Sequence, residues 1–396
     1  MSNVLNYTDI KSFILGFLPY FLAVIIADIH GGSGVINVYF ILVTMWCFSV
    51  YHRSKKQRFV PIELLFYFAI IVIIEYLNKQ NNIYYYEGLL QIVSIIFLSN
   101  YLKNFRRFRL FSYGVATSIA IGCIYFCIYS TNSELNIGDS EMRHALPFFY
   151  ISSVGLMTSL GFFLALVKLM KNKGKRIWLL VAILCFLTCL YTMSKNALLA
   201  MMSITIVYLI MVGVVKINMK TIMFFLIICS FFLFYEDTLN PIILLFTEAV
   251  DTYSSDEMIS ISGRGPIWLW VIEAIQEHPW LGHGYYTSSQ ILIDKFNEDI
   301  TQAHNCILHA FLSTGFLGFS LLTAYIIRLC CIIKKNYQVI INNDNLCWIL
   351  CMILYFMIRS ITEGSFAQCG SLDVFWFFLL TFTLKNLLLN CSIIKS

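Results

Sequence analysis

Apolar residues gather into twelve runs along this chain, near 12–29, 34–50, 60–77, 86–102, 110–130, 147–168, 177–193, 196–215, 221–235, 306–333, 345–361 and 372–390. Runs of roughly 17–25 such residues, wound as helices, cross about 30 Å of hydrocarbon, so the pattern predicts a transmembrane helix for each. The connections between them alternate in character. YHRSKKQR, KNFRRFR, KLMKNKGKR, KINMK and the KK at 334–335 together hold seventeen of the 27 Lys and Arg. The intervening connections, DIHGGSG and NKQNNIYYYEG among them, are poor in basic residues. Basic residues in short loops stay on the cytoplasmic side, which puts both termini inside and the long connection 236–305 outside. The expected fold is an all-α, polytopic membrane bundle of about 12 transmembrane helices. It divides into a nine-helix N-terminal bundle at 1–235, a large loop on the non-cytoplasmic side at 236–305 and three C-terminal helices at 306–396.

The long loop carries a different pattern. Pro266 suits the first turn of a helix and Pro279 stops one. Between them Ile267, Val271, Ala274, Ile275 and His278 fall on one helical face, widened by Trp268 and Ile272, with Glu273, Gln276 and Glu277 opposite. Such an amphipathic helix is expected to rest on the bilayer surface, its tryptophans at headgroup depth.

Composition agrees with the runs: 59% of residues are hydrophobic, 12% are charged, and the mean hydropathy is +0.77. A soluble domain has about a quarter of its residues charged, so this is an integral membrane protein. The net charge of +5 follows from the basic connections and gives no reason to expect nucleic acid as a partner. The first run lacks a small-residue cleavage site, so no removable signal peptide is expected. Most of the thirteen cysteines lie inside apolar runs, without CxxC pairs or Cys/His clusters of zinc spacing, and read as packing residues.

Charge becomes informative in the loop, where eleven Asp and Glu face only Arg264 and Lys295. Arg264 stands between two glycines just ahead of the amphipathic helix. A guanidinium fork, free amides and a positive helix end are how proteins hold phosphate. Pairing with Asp256 or Glu257 to anchor the loop is an equal reading. Ser194 and Lys195 fall at the outer end of a span, where a cation is out of keeping with this chain's inward bias; its partner is a loop acid or a phosphate. His304 and Asn305 stand at the mouth of the next span, and a histidine there suits deprotonation of a sugar hydroxyl, or a structural hydrogen bond. Glu363 and Arg359, at the outer end of the eleventh run, either support such a site or pair with each other across one turn.

In order, the residues SGR, IW, PWLGHG, HN and GFLG resemble the superfamily of O-antigen ligases and Wzy-type O-antigen polymerases. The Ser194-Lys195 pair stands where many members have Ser-Arg. The resemblance implies glycan transfer at the periplasmic face of the bacterial inner membrane, from a glycan linked to undecaprenyl pyrophosphate. Polymerases transfer it to another lipid-linked repeat unit, the leading expectation here; ligases transfer it to the lipid A core. Carried over, Lys195 and Arg264 hold the pyrophosphate and His304 activates the acceptor hydroxyl, with Ser194, Asn305, Glu363 and Arg359 in support. No cofactor and no metal are expected, since the outer acids include no Asp-x-Asp pair. A chain-length regulator is a candidate partner. A polysaccharide flippase is the less favoured reading, since the runs hold few charges to line a polar path.

Overall fold

A computed structural model describes residues 7–30, 35–53, 62–77, 83–130, 151–171, 175–192, 194–215, 264–285, 287–296, 302–361, 363–367 and 371–395. Every regular element among them is helical. The first half holds α1 (Tyr7–Tyr20, continuing through a π turn at Phe21–Ile26 and Ala27–His30), α2 (Val35–Arg53), α3 (Ile62–Leu77) and α4 (Ile83–Tyr101). After these come α5 (Phe105–Tyr129), α6 (Ile151–Met170), α7 (Lys175–Tyr191) and α8 (Lys195–Met211). Then follow α9 (Arg264–Glu277), α10 (Thr287–Phe296), α11 (Cys306–Lys335), α12 (Tyr337–Asn342), α13 (Asp344–Arg359) and α14 (Leu372–Lys395).

Eleven of the twelve apolar runs coincide with helices, and the run at 221–235 lies outside the described residues. Among the described residues, five helices are long and apolar enough to cross a membrane: Tyr7–Ile26, Phe105–Tyr129, Ser152–Met170, Cys306–Lys335 and Leu372–Cys391. The shorter segments Ile36–Phe48, Arg176–Tyr191 and Asn196–Met211 are also apolar.

The bundle is apolar inside and out. Tyr20 stacks on Trp376 with ring centroids 5.8 Å apart, and buried Trp348 donates its indole N–H to the Leu160 carbonyl at 3.2 Å. At the same time Ile121, Ile124 and Ile128 on α5 and Ile177, Leu180 and Leu187 on α7 are exposed. A surface of that kind is stable against lipid and not against water. Close backbone approach holds α1 to α5: a Cβ added to Gly16 would strike the Phe111 carbonyl, and one added to Gly114 the Phe13 carbonyl. Small residues at a crossing are the usual route to helix association in hydrocarbon, where no hydrophobic force separates helix from lipid.

Basic residues collect at one end of the bundle. Arg106 pairs with Asp9 at 2.5 Å, Lys168 with Asp344 at 3.4 Å, and Lys171 donates to the Ile341 carbonyl. Arg106, Arg109 and Lys168 line a polar cleft there of about 400 Å³. The site described next lies at the opposite end, where α8 and α11 begin and α13 ends.

Candidate functional site

Gly315 interrupts α11 with φ 60° and ψ −166°, a backbone setting that strongly favours glycine. The break removes the helical bonds that Phe316 and Leu317 would have made to Leu312 and Ser313. The PWLGHG turn replaces them. Phe316 N–H donates to the Pro279 carbonyl at 2.8 Å and Leu317 N–H to that of Trp280 at 3.2 Å. In return His283 N–H donates to the Leu312 carbonyl at 2.8 Å and Gly284 N–H to that of Ser313 at 3.0 Å. Gly282 lies against Gly315; a Cβ added there would stand 2.6 Å from the Gly315 nitrogen. His283 fastens the turn to the helix before it, its Nε2 lying 2.8 Å from the Ala274 carbonyl.

This interlock lays α9 along α11. Ile267, Val271 and Ala274, with Ile275 partly buried, pack in a small cluster with Leu292, Ala303 and Leu312, which is the centre of the apolar face expected from the spacing, whereas His278 and Ile272, assigned to the same face, are exposed. Its partner differs from expectation, because the face meets α11 rather than the bilayer. Leu269, Ile272, Trp280 and Leu281 are exposed instead, as are Phe316 and Leu317, with Trp280 edge-on to Phe316. Trp268 is half-buried, and its Nε1 donates to the Ala303 carbonyl at 2.9 Å. That bond sets the first turn of α9, which begins at Arg264, beside the segment leading into His304.

The Gln302–Asn305 segment is tightly specified. Asn305 caps α11, its side-chain oxygen accepting from Ile307 N–H and Leu308 N–H, while its amide donates to the Ile361 carbonyl at 3.2 Å. His304 holds φ 47°, the one positive φ outside glycine among the described residues. His309, one turn into α11 and fully buried, accepts from Ala303 N–H through Nδ1 at 3.4 Å. Buried Glu363 stands at the centre. Its Oε1 accepts from Asn196 at 3.1 Å, its Oε2 accepts from Gln302 at 2.9 Å, and Oε2 lies 3.6 Å from His304 Nδ1. Gln302 in turn accepts from Gly364 N–H at 2.7 Å.

The anticipated link between Arg359 and Glu363 runs through the backbone, Glu363 N–H donating to the Arg359 carbonyl at 3.0 Å. The Arg359 guanidinium bonds Asp373 at 2.8 Å and the Ser152 carbonyl at 2.9 Å, tying α13 to α14 and to the start of α6. Ser194 is the N-terminal flank of α8, Lys195 its first residue and Asn196 its second. The side chains of Lys195 and Arg264 lie outside the described residues. Around Glu363 and Ala303 the structure brings together the starts of α8 and α11, the end of α13 and the first turn of α9. Asn196, Gln302, Trp268 and Asp373 had no place in the sequence-based site. Asn196 and Gln302 sit within two residues of Lys195 and His304, and polar groups so placed beside apolar runs were the available signal.

Apolar-faced helices enclosing a polar, hydrogen-bonded centre at one end define a multi-pass membrane protein. Residues 179–323 match the family model described as O-Antigen ligase, a stretch running from α7 into α11 and containing the SK, SGR, PWLGHG and HN segments. The match supports the O-antigen ligase and polymerase superfamily that these motifs resemble, and membrane-bound glycan transfer of that general type. No curated protein matches the chain significantly.

Proposed function

We propose that the chain is a glycan polymerase at the outer face of the bacterial inner membrane, with twelve spans, both termini cytoplasmic and 236–305 periplasmic. It joins lipid-pyrophosphate-linked repeat units of O-antigen or a related surface polysaccharide. The observation carrying this reading is the meeting of α8, α9 and the Gln302–Asn305 segment at one end of the bundle. That end is the one away from the basic cluster at Arg106, Lys168 and Lys171.

His304 takes the proton of an acceptor sugar hydroxyl through Nε2, and the freed oxygen bonds the anomeric carbon of the donor glycan. The bond from that carbon to the pyrophosphate oxygen breaks, its electron pair leaving with undecaprenyl pyrophosphate, and the imidazolium returns its proton to water. Lys195 and Arg264, each the first residue of its helix, meet the charge that develops on the leaving pyrophosphate. Fixed cations are worth more there than in bulk water, because lipid and packed helices lower the local dielectric.

The description of the matched family favours a second reading, transfer of the finished glycan to the lipid A core. Deletion of the chain separates the two. Loss of a polymerase leaves lipopolysaccharide bearing a single repeat unit; loss of a ligase leaves bare core and stranded lipid-linked glycan. Wild-type polysaccharide in the deletion strain sinks both.

A further inference from the structure

Transfer of a hydroxyl proton needs an imidazole with the correct nitrogen unprotonated and aimed at the acceptor. His304 holds a left-handed φ of 47° at the entry to α11, which fixes the direction in which its side chain leaves the backbone. A ring can still turn about its side-chain bonds and exchange its two nitrogens. In His304, Nδ1 is buried and has no hydrogen-bond partner among the described residues, while the side chain as a whole is 26% exposed. The atom facing that buried nitrogen is Oε2 of Glu363, 3.6 Å away. Contacts of this kind are often long before substrate is seated and tighten with it.

Glu363 is itself held. Both its oxygens accept amide bonds, from Asn196 and Gln302, and its backbone N–H completes the end of α13. Arg359, which lies within electrostatic reach of Glu363, is locked to Asp373. A carboxylate fixed from several elements can orient a neighbour rather than follow it.

Building on the reading of His304 as the base, we propose that Glu363 is a positioning residue for the transfer. Its carboxylate holds the Nδ1–H tautomer of His304 and leaves the Nε2 lone pair for the acceptor hydroxyl. The amide bond from Asn196 to the same carboxylate helps to hold it in place beside the imidazole. When the proton arrives at Nε2, the carboxylate faces the resulting imidazolium and stabilises it.

The test uses the full chain in membranes and lipid-pyrophosphate-linked repeat units isolated from the deletion strain. Glu363→Gln keeps size and removes charge. Its kcat is expected to fall by about tenfold to hundredfold, a part of what a positioned general base contributes, with donor KM unchanged. Glu363→Asp keeps charge and draws the carboxylate back by one methylene. It is expected to fold even where the amide variant does not, to lose kcat less than Glu363→Gln, and to keep the same donor KM. Wild-type kcat in whichever variant accumulates, or a rise in donor KM matching the fall in kcat, overturns the proposal. His304→Asn run beside them separates the two levels of inference. If it retains full transfer, the base assignment has failed; if it abolishes transfer while both Glu363 variants behave as wild type, only the role of Glu363 has failed.

Discussion

His304 combines strain with chemistry, and a substitution can divide them. A left-handed backbone costs an ordinary L-residue about 1–2 kcal/mol, whereas asparagine tolerates it. His304→Asn is therefore expected to accumulate in the membrane like wild type while losing transfer by about a hundredfold or more, the range for a general base; ladder length on a gel beside an immunoblot reads both. Arg264 poses the converse question of charge against shape. Arg264→Lys keeps the charge and loses the planar fork, and a strong loss of long chains is expected from it. Arg264→Ala should abolish them at normal expression, and normal ladders from that variant would reduce the arginine to a loop anchor. Lys195→Arg should be tolerated, since it preserves the cation and supplies the residue many superfamily members have there.

Helices were legible wherever apolar runs were long, and so was the apolar face of α9, because spacing of three and four residues reports burial whatever does the burying. The partner of that face was not legible. Period alone does not distinguish α11 from lipid, and the choice is made by the interlock between Gly282 and Gly315, 33 positions apart in sequence. Glu363 was visible as a candidate and its partners were not, since Asn196, Gln302 and His304 meet only once three helix ends are assembled. The interlock itself can be tested. Gly315→Ala adds a Cβ at positive φ and against the Trp280 backbone, and Gly282→Ala does the same against Ser313 and Thr314. Each should cost well over the 1–2 kcal/mol of backbone strain alone and leave less protein in the membrane. Full accumulation and activity of both variants would show that the turn and α11 part freely. Trp268→Phe removes one bond, worth about 1 kcal/mol, and should reduce transfer without loss of protein, because it releases Ala303 beside His304.

At the scale of the whole molecule, the charged groups named above lie at the two ends of the bundle. One end gathers Arg106, Lys168 and Lys171; the other holds Arg359, Asp373 and Glu363 in a buried network. The proposed topology makes the first end cytoplasmic, so reporter fusions at 55, 172 and 335 should all give cytoplasmic signals, and an external signal at any of them would move the site to the wrong face. The four backbone bonds between the PWLGHG turn and the break in α11 also bear on how the chain is made. During synthesis the turn leaves the ribosome before α11 does, so the acceptors at Pro279 and Trp280 exist before the donors they serve. A helix entering lipid with a break at Gly315 would expose two amides and two carbonyls to hydrocarbon, each at a cost of several kcal/mol. The break is therefore tolerable in lipid only once the turn has closed on it, so Gly315 either enters as regular helix and breaks on closing or is met by the turn as it emerges.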